Sequence, residues 1–260
     1  MTVKVFGLVR VGVAGLLLVG LATPALAQRV RDGRNRTYTN SNDRWDDDDR
    51  APKETEHVDR TIALPSSGTL RLKNFSGDVR IVAGSGRDVV MKATRRASRE
   101  RLDHIRLDVS TSGSTVTIDA NKMDEQWKRE HRNNGGVVDT VFEIQVPASA
   151  NLDVEVFSSD VTVDGVTGEQ TLHSFSGEIE VLNPRGPIDA ETFSADIRVT
   201  VSRDARGTVS FSTFSGDVDT ALPISSTSWR KRDVEGTLPG GSGPRMKFHT
   251  FSGDLKLNAR

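Results

Sequence analysis

Four carboxylates recur at one place in a repeating sequence and carry the spacing best suited to chemistry. They are Asp160, Glu178, Asp196 and Asp217, separated by 18, 18 and 21 residues. Each closes a tetrad of Phe, Ser, a small residue and an acid, and two further tetrads end in Asp78 and Asp254. One chemistry open to such a column is calcium binding, with Asp160, Glu178, Asp196 and Asp217 as the candidate ligands. Calcium takes about 6–8 oxygens, and one carboxylate per repeat supplies few of them. A second is glycoside cleavage, which needs two carboxylates held in different environments, whereas a repeated column makes its members nearly alike. A third use is structural, with each acid accepting a hydrogen bond from a corner N–H.

Other catalytic patterns are missing from the sequence. There is no cysteine, which removes thiol catalysis and Cys-bound zinc. The five histidines, His57, His104, His131, His173 and His249, form no H-E-x-x-H pair. Gly240-Gly241-Ser242-Gly243 lacks the spacing of a serine nucleophile elbow. His173 and His249 fall two residues before a motif Phe, in phase with Lys73, Glu155, Glu191 and Ser212, which predicts an outward polar column. No enzyme activity and no cofactor are therefore expected.

The elements that position the acids follow from the repeat itself. The tetrads contribute Phe75, Gly77 and Asp78; Phe157 and Asp160; Phe175, Gly177 and Glu178; Phe193 and Asp196; Phe214, Gly216 and Asp217; and Phe251, Gly253 and Asp254. Leu152, Val154 and Val156 alternate with polar residues before one tetrad, and Val161 and Val163 alternate after it. Each unit thus reads as strand, corner, strand, with Gly at the corner giving backbone freedom. Ser159 and Ala195 stand in the Gly position of two copies, so a positive φ is not required there. The motif phenylalanines step by 18, 18, 21 and 37 residues from Phe157 to Phe251, the last close to two periods. A fixed period of two short strands, too short for a helical crossover, predicts an all-β, two-sheeted β-solenoid with coils about 4.8 Å apart. An antiparallel β-sandwich is the alternative. Stacking puts the six phenylalanines in one column, worth roughly 0.5–1.5 kcal/mol per pair. The residues before them, Asn74, Val156, Ser174, Thr192, Thr213 and Thr250, form another column suited to a polar ladder.

The rest of the chain is less regular. Residues 1–27 read as a secretory signal peptide, with Lys4 and Arg10, an apolar run from Val11 to Leu21, and Ala25-Leu26-Ala27 before the cut. That run is short for a membrane span, and no second one follows. Its loss leaves 33 of the 35 basic residues against 36 acids, a formal charge of −3 that offers no basic stripe to nucleic acid. Residues 28–58 are polar, with an acidic run at Asp46–Asp49, and read as a disordered linker. A single β-repeat domain is expected over 59–260, with 59–150 irregular and 151–260 carrying the repeats. Within the irregular part, Val89–Thr94 reads as a strand and Ala97–Asp103 as one or two helical turns. Leu107–Ser110 and Thr115–Asp119 form a hairpin around Ser112-Gly113, and Lys122–Asn134 is an exposed insertion. Trp229, followed by Arg230-Lys231-Arg232, is either a local contact or a loop residue covering the solenoid's end.

Residues 59–260 resemble the bacterial "putative adhesin" β-strand-repeat family, a domain of unknown function in exported and envelope proteins. The likeness rests on EIQVPASANLDVEVFSSDVTVDG, on the phased SGD and SGE corners, and on GTLPGGSGPRMKFHTFSGDLKL. It implies a solenoid-like β fold and a cell-envelope setting, and it brings no catalytic residues. The expectation is a non-enzymatic binding or structural module, periplasmic or extracellular, with an envelope glycan or an envelope protein as partner. A carbohydrate-active enzyme and a calcium-stabilised structural protein on the same scaffold are the alternatives.

Overall fold

The computed structural model describes residues 52–131, 136–220, 222–230 and 232–260. The expected signal peptide and most of the expected linker, including the acidic run, lie outside them. The strands of the first half are β1 (Lys53–Ala63), β2 (Thr69–Ser76), β3 (Val79–Gly84), β4 (Asp88–Ser98), β5 (Ile105–Ser112), β6 (Thr115–Met123) and β7 (Asp139–Pro147). The repeats give β8 (Asn151–Ser158), β9 (Val161–Asp164), β10 (Gln170–Ser174), β11 (Ile179–Leu182), β12 (Ile188–Thr192) and β13 (Ile197–Val201). The chain ends with β14 (Thr208–Ser215), β15 (Val218–Thr220), β16 (Ser225–Arg230), β17 (Asp233–Thr237), β18 (Arg245–Ser252) and β19 (Leu255–Ala259). Among the described residues, two short helices, α1 (Arg99–His104) and α2 (Glu125–Glu130), interrupt the first half.

Each tetrad is a corner between two sheets. The strand before it joins a ten-stranded sheet ordered β16-β17-β14-β18-β12-β10-β8-β2-β6-β5. The strand after it joins a nine-stranded sheet ordered β1-β4-β7-β3-β9-β11-β13-β19-β15. Through the repeats every pairing is parallel and in register, so Val154 faces Leu172, Leu172 faces Ala190, and Ala190 faces Phe248. This is the expected two-sheeted solenoid, and the parallel register rules out the antiparallel sandwich. Alternation does the rest: Leu70, Val154, Leu172, Ala190 and Phe248 point inward from one sheet, and Ile81, Val163, Val181, Val199 and Leu257 meet them from the other. One buried apolar cluster runs from Leu64 to Leu257.

Coil order departs from chain order twice. The coil β2–β3 sits between β8–β9 and a coil made of β6 and β7. At the other end β14–β15 leaves one slot open beside β12–β13, and the last coil, β18–β19, fills it. The 37-residue step is therefore not a skipped repeat. It holds the antiparallel hairpin β16–β17, which pairs onto β14 and covers that end of the sheet. The hairpin β5–β6 and strand β1 border the sheets at the opposite end. Antiparallel border strands cover the edges that stacked coils leave open.

Three expectations are corrected. Strand pairing begins at Lys53, inside the stretch read as a linker: β1 is bonded to β4 over its whole length, from Lys53 opposite Ser98 to Ala63 opposite Asp88. Its side chains are mostly exposed because it borders the sheet, so no apolar alternation marks it. The insertion after Lys122 is anchored, since Trp127 of α2 is 4% exposed and packs with Ala97, Ile105 and Val138. Trp229 lies in β16 and not in a loop, and its side-chain contacts fall outside the described residues.

The corner glycines answer a packing need. A Cβ on Gly177 would lie 1.9 Å from the Ser159 carbonyl oxygen of the neighbouring coil. Among the motif glycines only Gly77 has a positive φ, at 95°. Close approach of coils, more than a left-handed backbone, selects glycine here.

Candidate functional site

Three of the corner acids accept a hydrogen bond from the backbone of the next corner. Asp160 Oδ1 accepts the Glu178 N–H at 2.8 Å, Asp196 Oδ1 accepts the Asp254 N–H at 3.0 Å, and Asp254 Oδ1 accepts the Asp217 N–H at 2.9 Å. The column thus includes Asp254 between Asp196 and Asp217, which sequence order alone does not give. Cations on the nine-stranded sheet balance it: Lys256 Nζ lies 2.6 Å from Asp196 Oδ2, and Arg198 pairs with Glu178. The Asp254 N–H, and then Lys256, hold the Asp196 carboxyl below the usual carboxylate range. Among the described residues no three His, Cys, Asp or Glu side chains converge as a metal site would need.

The column before each Phe is buried, but it forms no hydroxyl ladder. Asn74 donates through Nδ2 to the carbonyls of Ser76, Gly77 and Thr140. The hydroxyls of Ser174, Thr192, Thr213 and Thr250 have no hydrogen-bond partner among the described residues. In-register parallel strands hold equivalent atoms about 4.8 Å apart, beyond the ~2.8 Å that an O–H···O bond needs. An amide can reach its own corner carbonyls, while a hydroxyl cannot reach the hydroxyl above it.

The feature that sequence reasoning passed over is where the motif phenylalanines point. Phe75 follows Lys73 and Arg71 at two-residue intervals, so all three face out from the ten-stranded sheet. The six rings are 41–57% exposed, the highest being Phe214. They stand in one file in the order Phe75, Phe157, Phe175, Phe193, Phe251, Phe214, with near-parallel planes and centroids 4.6–5.0 Å apart. The guanidinium of Arg232 lies 5.0 Å from the last ring centroid, closing that end by a cation–π contact. The phase that marked His173 and His249 as outward applied equally to the Phe two residues later.

An open groove of about 600 Å³ runs beside the first four rings, bordered by Lys73, Asp119, Glu155, His173 and Glu191. Lys73 Nζ lies 2.6 Å from Glu155, and that carboxylate raises the Lys73 pKa. His173 Nδ1 is 3.7 Å from Glu191, and His249 Nδ1 is 2.8 Å from Ser212 Oγ. These are solvent-facing pairs on an open surface, without a nucleophile, a base and an anion-stabilising group meeting at one point. The rings cover one another: parallel rings 5.0 Å apart at most admit no ligand atom between them, because each contact alone takes about 3.5–4.0 Å. What solvent meets is a straight strip of ring edges about 24 Å long, from five spacings of roughly 4.8 Å.

A family model described as Toastrack DUF4097 matches residues 61–258 of the chain. Among solved structures, a putative cell adhesion protein from Clostridium sporogenes aligns over 80% of this chain and 100% of its own, with a TM-score of 0.57 and 10% identity. At that identity the likeness concerns the fold. Putative adhesins from Bacteroides fragilis and Parabacteroides merdae align over 78% of this chain and 97% and 96% of their own, at 11% and 8% identity and TM-scores of 0.24 and 0.22. No protein with a curated description matches the sequence.

Proposed function

Taking as premise that the chain belongs to the Toastrack DUF4097 family, we propose that it is an exported, non-enzymatic, adhesin-like binding module of the cell envelope. The observation that carries the proposal is the outward file of six phenylalanines on a rigid, in-register sheet. Large exposed apolar strips bordered by charge mark contact surfaces more often than they occur by chance. Nothing in the alternation of core residues calls for an aromatic there, since the apolar core is built from the other strand face. Asp160 and Asp196 accept coil-to-coil hydrogen bonds and Glu178 pairs with Arg198, which supports a structural role for these three carboxylates over a catalytic one, and the Asp217 backbone N–H joins the same ladder. Of the two partner classes, glycan and protein, the strip favours protein. Sugars stack on open ring faces, and here neighbouring rings cover those faces.

The test is cosedimentation of the purified protein with isolated envelope fractions of its host. Saturable binding to one fraction is expected. It should drop about tenfold or more in a Phe157→Ser/Phe193→Ser variant whose circular dichroism is unchanged, because buried aromatics dominate contact energetics. Binding that ignores both substitutions would overturn the assignment of the surface.

A further inference from the structure

We infer that the protein occupying the Phe strip is a second copy of this chain, docked with its solenoid axis antiparallel. The inference rests on the reading of that face as the contact surface and names its partner.

The charge pattern beside the strip carries the argument. Two outward positions precede each Phe, and the parallel register places them in two columns. In spatial order the strands carry Arg71 and Lys73 on β2, Asp153 and Glu155 on β8, and Thr171 and His173 on β10. Then come Asp189 and Glu191 on β12, Lys247 and His249 on β18, and Ser210 and Ser212 on β14. A two-fold axis along the strands, between β10 and β12, keeps each column facing itself and reverses the strand order. The acidic strand β8 then meets the basic strand β18, with Asp153 opposite Lys247 and Glu155 opposite His249. His173 meets Glu191 at the centre, and the basic β2 meets the neutral serines of β14. Among these six strands no like charges oppose, while one strand further out at each rim Asp119 of β6 meets Asp233 of β17. The same operation lays Phe75 on Phe214, Phe157 on Phe251 and Phe175 on Phe193, strip against strip.

Size agrees with this. Six aromatic side chains of about 200 Å² each, close to half exposed, offer roughly 500 Å². The flanking columns carry the face toward the roughly 800 Å² per partner of a standard interface. An isologous contact of this kind closes on itself and stops at two copies.

Sedimentation velocity on the purified protein should show a reversible monomer–dimer equilibrium. Asp153→Lys and Lys247→Asp should each weaken it by about tenfold or more, since each sets like charges together twice in the dimer. An equimolar mixture of the two variants should dimerise again, because every 153–247 pair across a mixed dimer is then opposite in sign. A variant that had merely lost its fold would gain nothing from the mixture. Orientation is read with cysteines, of which the chain has none. Glu155→Cys mixed with His249→Cys should be joined by a short bis-maleimide linker, which can bridge facing sheets about 10 Å apart where a disulfide, limited to Cα separations under about 7 Å, cannot. Glu155→Cys alone should not, as its two copies would stand about three strand spacings, roughly 14 Å, apart. A monomer up to about 100 µM overturns the inference, and so does a mixture of charge variants that stays monomeric. Saturable binding to an envelope fraction by a monomer would leave the binding-module reading intact. A protein that binds neither itself nor any fraction would end both.

Discussion

Thr192→Val should make the protein more stable. Thr192 is 1% exposed, and its hydroxyl has no hydrogen-bond partner among the described residues. Its in-register neighbours are Ser174 and Thr250, whose hydroxyls are equally unpartnered. Burying an unpaired hydroxyl costs about 1–3 kcal/mol by mutational measure. Valine keeps the volume and the β-branch, so packing and rotamer entropy barely change. The fold already accepts this residue in this column, since Val156 fills the equivalent place in the coil of Phe157 and is itself buried. A gain of about 1 kcal/mol is therefore expected, the lower end of the hydroxyl cost. In a domain of this size that raises the melting temperature by about 2–4 °C. Urea unfolding followed by circular dichroism measures it, with the slope unchanged between the two proteins. A loss of about 1 kcal/mol or more would refute the reasoning, because it would mean that the hydroxyl is hydrogen-bonded in the folded protein.

Three other outcomes follow from the same structure. Gly177→Ala places a methyl 1.9 Å from the Ser159 carbonyl oxygen and should cost about 1–3 kcal/mol in urea unfolding, as overpacking does. Asp196→Asn bears on acid stability. The native carboxyl is depressed, so its contribution is present above the unfolded value of about pH 4 and disappears as pH falls below it. The stability gap between native and variant protein should close over that acid range, measured by urea titrations at successive pH values. Trp127→Ala should open the α2 insertion while the solenoid stays closed. Hydrogen exchange would then quicken at Glu125–His131 and remain slow in β8 to β13, because Trp127 belongs to a separate small cluster.

The solenoid was legible because parallel in-register stacking makes each structural position repeat in the sequence, and alternation separates inward from outward residues. Leu152, Val154 and Val156 announced their burial in this way, and Ser159 and Ala195 announced that the corner tolerates an ordinary backbone. Slot order was not legible. Spacing tells how far the chain has run, not which strand edge it returns to, so the entry of β18 between β12 and β14 had no local signal. Strand β1 was hidden for a different reason. A border strand paired on one side and exposed on most of its side chains needs no apolar pattern, and Lys53–Val58 has none. The insertion held a signal that was underused, a single Trp in a charged run, which seldom stays in solvent. The hydroxyl ladder was a mistake of distance, since chemically suitable columns are useless at strand spacing. The Phe file was visible in phase, two residues beyond Lys73, Glu155 and His173. Its meaning lay in noticing that the largest apolar side chains of the repeat fall on the polar face.

Hydroxyl-radical footprinting of the protein, free as the monomer at high dilution and bound to its envelope fraction, tests most directly whether the Phe face is the contact surface. The six motif phenylalanines should lose labelling together on binding. Val90 and Val141, exposed on the nine-stranded sheet, should keep theirs and serve as the internal reference. Protection of Val90 and Val141 with the phenylalanines still labelled would contradict the account and move the contact to the opposite sheet.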